Sequence, residues 1–388
     1  MTNILKLTIK PVDPLIVRDS RPFGQGQGAK ARSLDWLTPS VVCGSLRSSV
    51  GKTHGSFDAE KLKSVKVRGP FLEFEGSLYF PRPLDFVQDI KKIKENETIG
   101  GYAIRPASPE QVSGYTEMPY GLKPALIQGL GEDDFKPAPL PAFWSALAMR
   151  RWLTCDGDFK LSKGECLDGP GKDVRTHVGI HPETGASEDS LLFSTTGLDF
   201  KVRCGGHISQ MTASIEAEPP DDEYGRHLRD LSRLHVIGGE RRLAEWISAD
   251  REVSDGWEPG QVRVQNSRLR MILATPAIFS KGWLPGWIDE NTLEGEIPMD
   301  IVSGDSVRVR LVSAVIGRWT PISGWSYEKG RHGPKPLRRM TPVGSVYFFE
   351  SVDKQPFNFD LSGAWLRSVC DDHQDRNDGF GAALWGSW

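Results

Sequence analysis

VKVRGPFLEFEGSLYF, residues 65–80, carries two runs of β-branched and aromatic side chains on either side of Glu75 and Gly76. A two-residue break between apolar runs is the mark of a hairpin turn, so the segment reads as two strands. Toward the N-terminus, TPSVVCGSLRSSVG at 38–51 sets Val42, Leu46 and Val50 on one face at four-residue spacing. Thr38 stands as the N-cap, Pro39 suits the first turn and Gly51 reads as the stop, which predicts a helix with one buried face. Ahead of it, LKLTI at 5–9 alternates Leu5, Leu7 and Ile9 with Lys6 and Thr8, the period of a strand with one face in a core.

Strand, helix and hairpin in this order make the first half of a ferredoxin-like βαββαβ unit. PAFWSALAMRRWL at 141–153 predicts a second helix, and strands are expected within 262–279, 306–317 and 345–350. In the middle one, Val307, Val309 and Leu311 face one way while Arg308 and Arg310 face the other. Residues 88–137, with the charge runs KKIKENE and GEDD, read as an insertion, and 155–190 as a long exposed loop or hairpin. A boundary near 200 divides the chain into domains 1–199 and 200–388. With 41 Gly and 27 Pro beside 38% hydrophobic residues in 388, the expectation is an α+β protein of short strands and many turns.

Composition also excludes. The 48 basic and 51 acidic residues leave a formal charge of −3, which argues against a protein that coats nucleic acid unaided. Any electropositive surface must be local. Cys43, Cys155, Cys166, Cys204 and Cys370 are scattered and form no CxxC, so neither a disulfide framework nor a zinc knuckle fits. The N-terminus has no signal-peptide pattern and no apolar run reaches spanning length, so a cytoplasmic protein without a membrane partner is expected. His177 and His181 stand four apart, yet spacing supplies no third ligand, and no metal or cofactor is expected. DDHQDRND at 371–378 reads as an exposed acidic loop.

Two segments near opposite ends of the chain carry the chemistry. RDSRPFGQGQGAKARS at 18–33 sets Arg18, Arg21, Lys30 and Arg32 around Gly24, Gly26 and Gly28, with Asp19 placed to orient a neighbouring arginine. Glycines let a main chain approach a ligand closely, and guanidinium forks match phosphate oxygens. The second segment is IGRWTPISGWSYEKGRHGPKPLRRMTPVGSVYFF at 316–349, whose run KGRHGPKPLRR at 329–339 carries Lys329, Arg331, Lys335, Arg338 and Arg339 with no acid among its eleven residues. Its Gly and Pro residues argue against helix or central strand and for an exposed loop able to fold onto a phosphate chain. Weaker signals are Arg47, near the end of the first helix, and Arg241 and Arg242 in GGERR at 238–242. Most of the twelve tryptophans read as core.

DPLIVRDSRPFG, LTPSVVCGSLRSSVG, GGERR, LATPAIFSKGWLP, ISGW with TPVGSVYFF, and the terminal GFGAALWGSW together resemble the CRISPR RAMP proteins. More closely, they are similar to the third subunit of type III-B (Cmr) effector complexes. The resemblance runs from residue 4 to the C-terminus and is weakest across 88–137 and 155–190. It implies two ferredoxin-like (RRM-like) domains with antiparallel sheets and long inserted loops, and no catalytic role. It implies that the 5′ tag of a guide RNA (crRNA) is the ligand, with a large cyclase subunit and backbone RAMP subunits as partners. The competing expectations are a guide-processing endoribonuclease, for which Tyr115, Tyr120, His177 and His181 are the candidates, and a scaffold that never touches RNA.

Overall fold

The computed structural model describes residues 4–20, 29–54, 58–92, 98–111, 118–130, 134–155, 157–204, 206–231, 233–248, 255–260, 263–264, 266–301, 307–326, 330, 332–357 and 359–388. It is an α+β protein whose sheets are mostly antiparallel and whose helices are few. Two compact units are built from interleaved segments. Unit 1 takes Met1–Phe74, Gly169–Glu252 and Thr320–Arg338; unit 2 takes Glu75–Asp168, Val253–Trp319 and Arg339–Trp388. Among the described residues no helix is long and apolar enough to cross a membrane.

Unit 1 is organised by five strands in the order Lys66–Phe74, Thr212–Glu218, Leu5–Pro11, Leu243–Ser248 and Leu234–Val236, each antiparallel to the next. Leu7 and Ile9 are fully buried, as the alternation of LKLTI requires. Their face is covered by two helices, Pro39–His54 and Asp222–Arg229, which pack on each other. Val42, Leu46 and Val50 are all at 0% exposure. The Thr38 carbonyl takes the first helical N–H groups, from Val41 and Val42. Gly51 does not end the helix, which continues to His54. Each glycine costs about 1 kcal/mol relative to alanine, a penalty that a helix anchored by a buried face tolerates at Gly44 and again at Gly51.

Glu75 and Gly76 both adopt positive φ, 48° and 74°, the backbone of a tight two-residue turn. A second feature of unit 1 is the long hairpin formed by Gly171–Ile180 and Ser187–Asp199, so the loop or hairpin expected over 155–190 begins only at Gly171 and takes in the following LLFSTTGLD, while Phe159–Ser162 and Cys166–Leu167 are strands of unit 2. Ala29–Ala31 joins its second strand in parallel.

Unit 2 holds a six-stranded antiparallel sheet in the order Glu294–Ile297, Val307–Val315, Val346–Ser351, Arg268–Leu273, Ala382–Gly386 and Arg367–Ser368. Val309 and Leu311 are buried while Arg308 and Arg310 are exposed. The expected helix at 141–153 begins only at Ala146. Phe143–Ser145 is a strand paired to Ser77–Pro81, and the Ser145 hydroxyl accepts from Ala148 N at 3.2 Å to cap the helix. The stretch 88–137 contributes strands of its own: Thr98–Pro106 pairs with Phe86–Val87, Ala125–Ile127 and Phe159–Ser162. DDHQDRND is not a loop. Asp372 caps the helix His373–Asp378, Asp371 accepts from Ser280 N and Oγ and from Gly286 N, and Asp375 is buried.

Candidate nucleic-acid interface

The two arginine-bearing segments meet in unit 1. The first is pinned at its stem. Arg18 bridges antiparallel to Ser33, Asp19 N donates to Arg32 O at 3.3 Å, and Leu34 N donates to Val17 O at 2.8 Å. The Ser33 hydroxyl accepts from Val17 N and donates to Thr196 O at 2.6 Å, tying the stem to the long hairpin. Leu15 and Leu198 form a reciprocal antiparallel bridge just before it. The segment therefore leaves a rigid base, with Leu15, Ile16 and Val17 at most 2% exposed, and presents Arg18, Lys30 and Arg32 outward. Arg21, Gly24, Gly26 and Gly28 lie outside the described residues.

GGERR docks onto the same base. Gly239 N donates to Ile16 O at 2.7 Å, and Gly238 sits at φ 73°. A Cβ at Gly238 would stand 2.5 Å from Ile16 O, so glycine is required both by the backbone angle and by the approach. Arg241 is exposed, at φ 53°, and Arg242 pairs with Glu240 at 3.4 Å.

The second segment reaches the first through a contact 301 residues apart in sequence, in which the Ser20 hydroxyl donates to Pro321 O at 3.3 Å. From there the chain makes a narrow ladder, Trp325 opposite Pro334 and Ser326 opposite Gly333. It is closed by Ser323 Oγ donating to Lys335 O and Lys335 N donating to Gly324 O, each at 2.8 Å. Lys335 and Arg338 are exposed, and Trp325, 51% exposed, meets the edge of the His332 ring at 5.6 Å. Lys329 and Arg331 lie outside the described residues. Arg339 belongs to unit 2, where its guanidinium lies 4.9 Å from the Trp319 ring centre. Unit 1 thus presents a rim of cations on fixed stems with an exposed indole, the materials from which phosphate contact and base stacking are made.

Arg47 is used differently. Its Nη2 donates to the carbonyls of Lys63 and Val65, fastening the end of the short helix Ala59–Ser64 to the first helix. Ser45, on the small-residue face of that helix, donates to Val236 O at 2.7 Å and is buried. His177 stacks on Phe193 at 5.1 Å with its Nε2 2.9 Å from Thr195 Oγ1, and His181 Nδ1 accepts from Glu183 N in the hairpin turn. Tyr120 is an exposed residue of unit 2, and Tyr115 lies outside the described residues. Among the described residues no group of three or more His, Cys, Asp or Glu side chains is placed to hold a metal.

Sequence reading passed over Ser20 and Ser33, whose hydroxyls join the segments. A lone serine beside an arginine carries no signal until its distant carbonyl partner is known.

No curated protein sequence matches the chain. A chain in the cryo-EM structure of a type III-B Cmr-beta complex bound to cognate target RNA and AMPPnP is similar at 14% identity, with TM-score 0.48, covering 88% of this chain and 86% of that one. A chain of the Csm3–Csm4 subcomplex from the type III-A interference complex is similar at 9% identity and TM-score 0.35, covering 92% and 98%. A chain of the Csm1–Csm4 cassette in complex with cA4 shows 10% identity and TM-score 0.31, covering 92% and 97%. The model of the CRISPR-associated protein family Cas_Cmr3 matches residues 7–388, so this chain belongs to that family and is a type III-B CRISPR RAMP protein.

Proposed function

We propose that this protein is a non-catalytic RNA-binding subunit of a cytoplasmic type III-B effector complex, in which the cationic rim of unit 1 caps the 5′ tag of the guide RNA. In the same reading it contacts the large cyclase subunit and the backbone RAMP subunits of that complex. The single observation that carries the reading is the Ser20–Pro321 contact. Two glycine-rich, acid-poor segments from opposite ends of the chain converge on one surface, which composition alone does not demand. Arg18, Lys30, Arg32, Lys335 and Arg338 would serve as phosphate partners, with Arg241 beside them. Trp325 offers the flat surface for a splayed base.

A net charge of −3 fits a subunit whose RNA affinity depends on assembly, since nonspecific attraction to polyphosphate is weak. The engagement of His177 by Thr195 and Phe193 supports the non-catalytic assignment. The five-stranded sheet of unit 1, with two helices on one face, supports descent from a ferredoxin-like (RRM-like) domain. We read the sheet of unit 2 as a second, more elaborated one. Ultraviolet crosslinking of the assembled complex, with adducts mapped by mass spectrometry, tests the assignment. Guide 5′-end adducts within 18–33 and 320–338 are expected. An assembled complex with guide adducts on other subunits and none on these segments would leave a scaffold role in its place.

A further inference from the structure

We propose that unit 2 contains a binding site for a free phosphorylated ligand of nucleotide size, in the cleft floored by Arg105. Asp85, fully buried, accepts from Arg270 Nη1 at 2.7 Å and Arg105 Nη1 at 2.8 Å on one oxygen and from Trp152 Nε1 at 2.9 Å on the other. Arg270 is also fully buried and donates from Nη2 to the Trp152 carbonyl. Among the described residues Asp85 is the carboxylate that both guanidiniums pair with, so two cations share one anion, and both also lie over the Trp152 ring, at 4.9 and 5.0 Å. Arg270 is sealed, so the excess is expressed at Arg105, whose side chain remains 14% exposed.

Burial, and then the neighbouring Arg270, lower the Arg105 pKa to about 10, which still leaves it a cation at neutral pH. Its Nη1 is spent on Asp85 and on the Ile104 carbonyl. Among the described residues nothing accepts from its Nη2 or Nε. A buried cation with spare donors is a half-made charge-assisted bond.

The space above can complete it. Arg105 lines a cleft of about 910 Å³, inside the range of small-molecule sites. Arg268 and Trp388 form one wall, the guanidinium 4.7 Å from the ring centre, and Gln128 and Asn266 add amides. Of the cleft's two carboxylates, Glu350 is compensated by Lys123 at 3.5 Å, and Asp158 forms no ion pair with Arg105 among the described residues. A guanidinium fork selects phosphate, and the Arg268–Trp388 wall suits a flat heterocycle. Together they describe a nucleotide, bound wholly within unit 2 and independently of the RNA surface proposed for unit 1.

Calorimetric titration of the full-length protein with AMP, ATP, inorganic phosphate and citrate tests this. AMP or ATP should bind, with phosphate competing more weakly. Arg105→Gln should weaken every phosphate probe about tenfold or more, the loss of one charged hydrogen bond. If that variant unfolds, the exposed Arg268→Ala decides, weakening AMP severalfold and leaving phosphate unchanged. No heat from any phosphate probe at millimolar concentration, citrate binding as tightly as AMP, phosphate binding as tightly as AMP, or unchanged AMP affinity in Arg268→Ala would each overturn the proposal.

Discussion

Unit 1 and unit 2 both depend on arginine, in opposite ways. Along the rim of unit 1, Arg18, Arg32 and Arg338 stand in water on pinned stems. In unit 2, Arg270 is at 0% exposure, held by Asp85 and the Trp152 carbonyl and lying over the Trp152 ring, which packs in turn with Phe86, Trp144 and Phe159. The exposed set is cheap to place. The buried set is expensive, because each ion gives up its hydration and must recover it from fixed partners. Removal of one buried partner should therefore wreck unit 2, whereas removal of exposed arginines should leave the fold intact.

The largest effect is expected at Asp85. Asp85→Ala leaves two guanidiniums facing each other in the core and takes the acceptor from Trp152, and should cost about 3–5 kcal/mol in urea unfolding. A loss under about 1 kcal/mol would mean that water reaches Arg270 and that the contrast between the units is one of degree.

Next comes Gly238, where the rigid base of unit 1 can be loosened without touching an arginine. Gly238→Ala must strain a φ of 73° and press a Cβ against Ile16 O, and should cost about 1–3 kcal/mol. Because Gly239 N is the neighbouring donor to Ile16 O, guide binding in the assembled complex should fall with it. Unchanged stability measured by thermal unfolding would show that the base yields locally, and the rim would then owe its placement to something else.

How much of this was readable beforehand follows the same divide. Periodicity located the faces of Leu7 and Ile9, of Val42, Leu46 and Val50, and of Val309 and Leu311, because burial on one face imposes a repeat. Glu75 and Gly76 were legible as a turn because two positive φ angles restrict residue choice. The exposed arginines were legible from their glycine neighbours. Asp85 was not, since its partners lie 20 and 185 positions away and an aspartate shows no local sign of burial. Thr98–Pro106 was hidden for a different reason. Its Gly100 and Gly101 look like loop, yet a Cβ at Gly101 would collide with Phe86, so glycine there serves the close approach of paired strands. In Phe143–Ser145 the apolar run was continuous with the helix that follows, and only the capping hydroxyl of Ser145 separates them.

On the exposed side, Arg338→Ala with Arg339→Ala should leave the unfolding midpoint within about 0.5 kcal/mol of the parent. If both side chains meet phosphates, the slope of log affinity against log salt for guide binding should fall in magnitude by about 1.4, from roughly 0.7 per contact on a single strand. A fall of half that size would assign only one of the pair to RNA, with Arg339 held instead over Trp319. An unchanged slope would remove this end of the second segment from the interface.

The smallest effect concerns a titratable group that unit 1 half-buries. His235 lies on the edge strand Leu234–Val236, and burial lowers its pKa from 6.5, with Lys52 and Arg233 acting in the same direction and a hydrogen bond to the Leu231 backbone opposing. The folded protein thus holds this ring neutral where the unfolded chain takes up a proton. Its contribution to stability is complete above about pH 6.5 and is lost as the pH falls from there through the lowered folded pKa. Urea midpoints measured from pH 7.5 down to pH 5 should therefore decline less steeply in His235→Gln than in the parent. Parallel declines would show that the ring is solvated when charged. The edge strand would then open locally to admit water, and the stem that Gly239 and Ile16 share would be less rigid than the buried cluster of unit 2 by more than its arginines alone indicate.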